Sequence, residues 1–276
     1  MSDREIGSQD YQLFRDYLEK QCGIVLGDNK QYLVRSRLSP LLRKFSIDSL
    51  AQLVAKVVNS HDRGLREAVI DAMTTNETLW FRDSYPFELL KSQLLAKFRG
   101  KNSPLRIWSA ACSSGQEPYS IAMSILEYLQ RNPGAFPGGV QIVGTDISVD
   151  MLNRCKAAEY DNLSLSRGLS EERKRQFFQP TAGGSLKLKP QVTSMVSFRP
   201  INLLDSYASM GKFDLVFCRN VLIYFSPKSK TKILQQIAAS LQNEGVLFLG
   251  ASESMSGLSD AFSMVRCSPG LYYVKK

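Results

Sequence analysis

The sequence predicts a two-part chain: an N-terminal helical bundle, then an α/β domain built on a doubly wound, mostly parallel sheet. Three observations carry this prediction. From residue 9 to about 99, apolar residues recur with helical period between short breaks. From Pro104 onward, apolar strands alternate with amphipathic helices, the pattern of parallel βαβ units. Between the two runs lies a polar, breaker-rich joint, Arg99-Gly-Lys-Asn-Ser-Pro104. The expected division is an all-α domain over 1–90, a linker over 91–104 and an α/β domain over 105–276.

In the first part, Leu13, Phe14, Tyr17 and Leu18 form one apolar stripe. Leu50, Leu53, Val54, Val57 and Val58 form a second behind an N-cap at Asp48, and Leu65, Ala68, Val69, Ala72 and Met73 form a third. Breaks are expected at Cys22-Gly23, Gly27-Asp28-Asn29, Phe45-Ser46 and Arg63-Gly64. In the second part, strands are expected at Leu105–Ala110, Gln141–Gly144, Phe213–Cys218, Val246–Gly250 and Leu271–Val274. Helices are expected at 117–131, 148–158, 170–178 and 226–242. Residues 181–200, with Gly183-Gly184 and alternating Leu186, Leu188 and Val192, read as a small β insertion.

Composition narrows the chemistry. With 43% hydrophobic and 22% charged residues, the chain is that of an ordinary soluble protein, and no apolar run nears a membrane span of ~20 residues. The start, Met-Ser-Asp-Arg-Glu-Ile, lacks a basic-then-apolar signal, so a cytoplasmic location is expected. Five scattered cysteines without C-x-x-C suggest reduced, buried fillers, and the lone His61 reads as a solvated loop residue. A multi-histidine metal centre is excluded, and no metal is expected. The net charge of +9 is uneven: residues 1–90 hold 12 basic and 13 acidic residues, the remainder 23 and 13. A basic second half points to an acidic partner, either nucleic acid or an acidic protein surface.

The chemistry concentrates in four places. Leu105-Arg-Ile-Trp-Ser-Ala-Ala-Cys-Ser-Ser-Gly-Gln-Glu-Pro-Tyr-Ser-Ile-Ala-Met123 is a strand entering a small-residue turn, after which Pro118 opens a helix. A second strand, Val140-Gln-Ile-Val-Gly-Thr-Asp-Ile-Ser148, ends in a carboxylate suited to the hydroxyls of a ribose. The turn has only Gly115 and no phosphate-gripping motif. It therefore fits a nucleoside lacking a phosphate chain, of which S-adenosylmethionine is the common one. Alternatively, Asp146 simply caps a helix starting near Ser148. Thr74-Thr-Asn-Glu-Thr-Leu-Trp-Phe-Arg-Asp83 reads either as a helix cap at Thr75 or Asn76, or as a segment lending Asn76, Thr78 and Arg82 to a cofactor site. Lys212-Phe-Asp-Leu-Val-Phe-Cys-Arg-Asn-Val-Leu-Ile-Tyr-Phe225 is a buried strand followed by Arg219, Asn220 and Tyr224, placed where open α/β sheets bind ligands.

Together these motifs resemble the CheR-type chemotaxis receptor methyltransferases, from about Phe14 to Tyr273. The match rests on Thr-Thr-Asn-Glu-Thr-Leu-Trp-Phe-Arg, Ser-Ser-Gly-Gln-Glu-Pro-Tyr-Ser, Gly-Thr-Asp-Ile, Ile-Asn-Leu-Leu and Phe-Cys-Arg-Asn-Val-Leu-Ile-Tyr-Phe, in that order. The resemblance implies a helical domain joined to a Rossmann-like S-adenosylmethionine domain with a small antiparallel β subdomain. It implies methyl transfer from S-adenosylmethionine to glutamate carboxylates of methyl-accepting chemotaxis receptors, leaving S-adenosylhomocysteine. It places Asn76, Thr78, Arg82, Glu117, Asp146, Asn202, Leu203, Arg219 and Asn220 around the cofactor. Its turn often reads Gly-Glu-Glu where this chain has Gly115-Gln116-Glu117. In some members the β subdomain grips a tethering peptide at receptor C-termini, a capacity these residues do not reveal.

Arg82 suits a carboxylate, either the cofactor's or that of the incoming glutamate. Tyr224 is a candidate for orienting the target carboxylate, with simple packing as its rival role. Between Asp28 and Asp48, Lys30, Arg35, Arg37, Arg43 and Lys44 lie without an acid among them. That run is either a solvated face or a surface that docks acidic receptor helices. The rival functions are a nucleic-acid methyltransferase, which lacks an Asn-Pro-Pro-Tyr-type motif here, and a non-catalytic S-adenosylmethionine-sensing adaptor.

Overall fold

A computed structural model describes residues 6–60 and 62–276; the readings of His61 and of residues 1–5 lie outside them. The first unit packs α1 (Ser8–Cys22), α2 (Gln31–Lys44), α3 (Leu50–Asn59) and α4 (Arg63–Met73) around one apolar core. Its helices start and stop for local reasons. Gly23 ends α1 in the left-handed region at φ 78°. The α3 cap is Ser49, whose side chain accepts from the Gln52 amide, so the expected Asp48 cap falls one residue early. Asp62 caps α4 through the Leu65 amide, which makes Arg63-Gly64 the first helical turn and not a break. In α1 the buried stripe is Tyr11, Phe14, Tyr17, Leu18 and Cys22, so Phe14, Tyr17 and Leu18 face the core as expected while Leu13 is exposed.

After an irregular segment, α5 (Tyr85–Leu89) runs through one π turn (Leu90–Leu94) into α6 (Leu95–Lys97). Residues 91–97 of the expected linker are thus helical, and Leu94 and Leu95 are buried in the α/β core. The core of the first unit closes at Met73.

The remainder alternates: β1 (Leu105–Ala110), α7 (Gln116–Arg131), β2 (Val140–Asp146), α8 (Val149–Ala157), β3 (Glu159–Tyr160), α9 (Asn162–Ser166), α10 (Glu171–Phe177), β4 (Phe178–Pro180), β5 (Leu186–Leu188), α11 (Pro190–Thr193) and β6 (Val196–Pro200). Then follow β7 (Phe213–Cys218), α12 (Pro227–Ser240), β8 (Leu241–Leu249), β9 (Phe262–Cys267) and β10 (Gly270–Lys275). Seven strands form the main sheet in the order β6-β2-β1-β7-β8-β10-β9; the first five are mutually parallel, and β10 runs antiparallel to both its neighbours, β8 and β9. Strand β7 is buried at every position, as a central parallel strand covered on both faces should be. From β1 the chain winds outward to β2 and β6, then returns to β7 on the other side. The topological switch point therefore lies between β1 and β7.

The small antiparallel sheet, β3-β5-β4, begins earlier than the expected 181–200 insertion. Only β5 falls in that range; Val192 lies in α11, and Val196–Pro200 joins the main sheet beside β2. The expected helix over 226–242 stops at Ser240 because Leu241 already pairs with Phe213. Strand β9 was not expected: its outer positions, Met264 among them, are exposed, so its apolar pattern is weak.

Candidate active site

The turn after β1 is drawn tight by its backbone: the Cys112 amide donates to the Thr145 carbonyl and the Gly115 amide to the Cys112 carbonyl. Gly115 sits at φ 94°, where a Cβ would come within 3.0 Å of Cys155 Sγ and 3.1 Å of the Tyr160 hydroxyl. This is why the last position of the turn is glycine. At the end of β2, Asp146 Oδ2 accepts from the Ser113 amide at 2.8 Å and Oδ1 from the Ser148 amide at 2.9 Å. Ser148, not Asp146, is the N-cap of α8. Burial raises the Asp146 carboxyl above its ordinary range, and the Ser148 and Ser113 amides oppose that shift. Two bonds leave roughly two of the carboxylate's four acceptor sites for ligand hydroxyls.

Glu117, in the first turn of α7, accepts from Ser109 Oγ at 2.7 Å and from Arg219 Nη1 at 3.0 Å. Burial raises its carboxyl too, with Arg219 pulling the other way. Arg219 Nη2 also donates to the Arg82 carbonyl at 2.8 Å and to Asp83 Oδ2 at 2.7 Å. Its guanidinium therefore clasps the ends of three elements.

The segment between α4 and α5 does not form the helix cap that is one reading of Thr74–Asp83. Thr74 is the C-cap of α4, and the chain past it stays irregular up to α5, so neither Thr75 nor Asn76 caps a helix. Asn76 instead accepts, through its carbonyl, from Ser113 Oγ at 2.9 Å. Trp80 anchors the far end, edge-on to Tyr160 and Phe178 of the small sheet at 4.8 and 5.5 Å. Asn202 Nδ2 donates to the Gln21 carbonyl at 2.7 Å, which fastens the loop after β6 to α1.

All nine residues expected around a cofactor, and Tyr224 with them, line one cleft at the switch point. It holds about 1000 Å³ including its open mouth. Polar groups from the ends of β1, β2, β6 and β7 face apolar wall from Ile147, Leu203 and Met73. Acceptor carboxylates, side-chain amides and apolar patches suit a nucleoside carrying a polar tail. The basic residues of α2 are not in the cleft. Arg35, Arg43 and Lys44 are exposed, whereas Arg37 turns inward and donates to the Met73 and Thr74 carbonyls at 2.6 and 3.1 Å and to Thr75 Oγ1 at 2.9 Å. Arg37 thus caps α4 and secures the segment that leads to Asn76.

Several contributors escape sequence reasoning. Cys22 and Ile24 reach the cleft from the first unit because the Val25 amide pairs with the Tyr224 carbonyl at 2.9 Å. Tyr160 donates to the Ser114 carbonyl at 2.8 Å, and Glu253 accepts from the Asn220 amide at 2.7 Å. None of these contacts leaves a local pattern in the sequence.

Residues 76–271 match the family model described as the SAM binding domain of CheR methyltransferase, and residues 9–74 match its all-alpha domain. The chain belongs to the CheR methyltransferase family. It is 60% identical over 271 residues to a chemotaxis protein methyltransferase of Vibrio parahaemolyticus, which covers 98% of each chain. It is 56% identical over 273 residues to chemotaxis protein methyltransferase Cher2 of Pseudomonas putida, covering 98% of this chain and 99% of that one. The Escherichia coli chemotaxis protein methyltransferase is 33% identical over 248 residues, covering 89% and 84%. As a CheR methyltransferase the chain takes S-adenosylmethionine as its cofactor, and its SAM-binding domain supplies most of the cleft. The Asp146 carboxylate, with acceptor sites to spare, and the apolar walls beside it fit the ribose and base of that molecule.

Proposed function

We propose that the protein transfers the methyl group of S-adenosylmethionine to glutamate side chains of methyl-accepting chemotaxis receptors. The observation that carries this reading is the end-to-end likeness to relatives named chemotaxis protein methyltransferase, 98% of either chain in the first case. The cleft is consistent with it, because the expected cofactor residues share one wall system with Arg82 and Tyr224.

When bound, S-adenosylmethionine supplies an electrophilic methyl group on a sulfonium. A glutamate is already ionised at neutral pH, its reference pKa being ~4.3, so the protein needs no general base. Its residues have to align two reactants, a task that can supply up to ~7–11 kcal/mol of the barrier. In this reading Asp146 holds the ribose hydroxyls, and Asn76, Thr78, Asn202, Leu203 and Asn220 complete the pocket. Glu117 and Arg219 brace each other. Arg82 donates to the Glu77 carbonyl at 3.1 Å and remains partly exposed, which leaves it available to a carboxylate. Tyr224 offers a neutral hydroxyl donor that orients the target without an ion pair strong enough to quench it.

Acidic receptor helices would dock on the exposed cations of α2, Arg35, Arg43 and Lys44; Arg37 is committed inward and leaves that set. Among the described residues no helix is long and apolar enough to cross a membrane. We place the protein in the cytoplasm, reaching membranes only through its receptors.

The test is incubation with methyl-labelled S-adenosylmethionine and a receptor cytoplasmic fragment, followed by mild base. Label released as volatile methanol identifies carboxyl methyl esters. Base-stable label would replace this reading with methylation at another acceptor such as nucleic acid. Cofactor binding with no transfer to any receptor fragment would favour the sensing adaptor.

A further inference from the structure

We infer that Glu253, which does not line the cleft, is a positioning residue that sets the shape of the loop carrying Asn220 and Tyr224. Oε2 of its carboxylate accepts from the Asn220 amide at 2.7 Å and from the Gly250 amide at 2.7 Å, and Oε1 accepts from the Ile223 amide at 3.3 Å. One side chain thereby staples the loop after β7 to the turn after β8. The turn is closed in its own right by the Glu253 amide on the Gly250 carbonyl at 2.9 Å.

The loop needs such a staple. Asn220 adopts φ 58°, a left-handed conformation that asparagine tolerates better than other residues with a Cβ but that few surroundings favour, so its amide must be met by a fixed acceptor. From there the chain makes a single 3₁₀ turn, Leu222–Tyr224, too short to be stable by itself. Gly250 fits the same arrangement: a Cβ there would stand 2.7 Å from Asn220 Nδ2 and 2.8 Å from Glu253 Oε2. A carboxylate suits the position because it only accepts, and three backbone donors converge on it. The Tyr224 carbonyl is held separately by Val25, so Glu253 governs chiefly the Asn220 end and the pitch of the turn that aims Tyr224.

The consequence for catalysis rests on the proposed glutamate methylation. Of the nine proposed cofactor residues only Asn220 is bonded by Glu253; the others lie at the ends of β1, β2 and β6, over residues 76–82 and at Arg219, whereas the approach of the target carboxylate depends on this loop. In Glu253→Gln one acceptor oxygen becomes an NH₂ donor facing backbone N–H groups. Turnover on receptor should fall about tenfold or more, since small misplacements of aligning groups are costly. S-Adenosylhomocysteine affinity should change by less than about threefold, a split that a merely structural residue would not produce.

Hydrogen exchange followed by mass spectrometry supplies a readout independent of turnover. The amides of residues 219–225 should lose protection in the variant while the rest of the chain keeps its own. Glu253→Asp, which retains the carboxylate, should restore part of both signals. Turnover within about twofold of the parent, or unchanged protection over 219–225, overturns the inference. So does an equal loss of cofactor affinity and turnover together with a large fall in Tm. Should the parent protein fail to methylate any receptor, the substrate reading falls, and exchange over 219–225 still decides the role of Glu253.

Discussion

Arg219 and Glu117 meet across the switch point of the sheet, Nη1 to Oε2 at 3.0 Å, with the arginine side chain only 1% exposed. The pair joins the end of β7 to the start of α7, and the second arm of Arg219 adds Asp83 at 2.7 Å. A buried cation between two carboxylates is costly to remove on one side only.

Arg219→Met should therefore destabilise the protein by about 3–5 kcal/mol at neutral pH, measured by urea unfolding. Glu117 already lies above its ordinary range through burial, and losing the cation moves it higher. A carboxyl raised in the folded state contributes stability that is present below its unfolded pKa and lost as pH rises through the folded value. The deficit of the variant should thus shrink on acidification, and Glu117→Gln in the same chain should recover much of it. A cost below about 1 kcal/mol, typical of an exposed pair, would contradict the bracing role.

Asp146→Ala and Tyr224→Phe should separate binding from turnover. The first removes the acceptor proposed for ligand hydroxyls and strips two backbone amides of their partner. At ~1.5–3 kcal/mol per hydrogen bond to a charged group, affinity for S-adenosylhomocysteine should drop about a hundredfold or more by calorimetry. Tyr224→Phe should lower kcat while leaving that affinity within about twofold. Equal binding losses in the two variants would defeat this division of labour.

Acid should weaken cofactor binding. Burial holds the Asp146 carboxyl above its ordinary 3.8, against the Ser148 and Ser113 amides. In the proposed binding mode ligand hydroxyls need its ionised form, so affinity should decline as pH falls, starting above 3.8 and steepening towards about tenfold per unit. The free protein responds with the opposite sign: this carboxyl's contribution to stability is present at low pH and lost as pH rises through its folded value. A titration of S-adenosylhomocysteine binding that is flat in this range for the parent, or equally steep for Asp146→Asn, would assign the dependence elsewhere.

Arg37 and its neighbours on α2 should behave differently. Arg37→Ala frees the Met73 and Thr74 carbonyls and Thr75 Oγ1, and should cost about 1–3 kcal/mol and weaken cofactor binding through the Asn76 segment. Arg35→Glu with Arg43→Glu should slow methylation of receptor and flatten its salt dependence, with cofactor affinity unchanged. If the exposed pair alters cofactor affinity and Arg37→Ala does not, the assignment is reversed.

Much of the fold was legible because its signals are local. Strand β1, its small-residue turn, the acid at the end of β2 and the wholly apolar β7 all follow from period, composition and breakers. The elements misjudged are those whose character depends on a neighbour. Val196–Pro200 is extended, as the β reading of 181–200 expects, but it joins the main sheet and not the insertion because β2 offers it an open edge. Residues 91–97 sit beside a polar joint yet stay helical because the α/β core buries Leu94 and Leu95.

The sequence by itself determined the two-unit plan, the switch-point location of the site and the identity of ten residues that share the cleft. Short-range periodicity and residue type encode the plan and the switch point; Glu117, Asn202 and Leu203 follow only from the resemblance to the family's motifs. Only the tertiary structure decided how those residues are held: Arg37 turned inward onto α4, Glu117 locked to Arg219, and the Asn220 loop stapled by Glu253. Such contacts join residues 33 to 102 positions apart. Their geometry is fixed only once the sheet and bundle have packed, so no local pattern in the chain announces them.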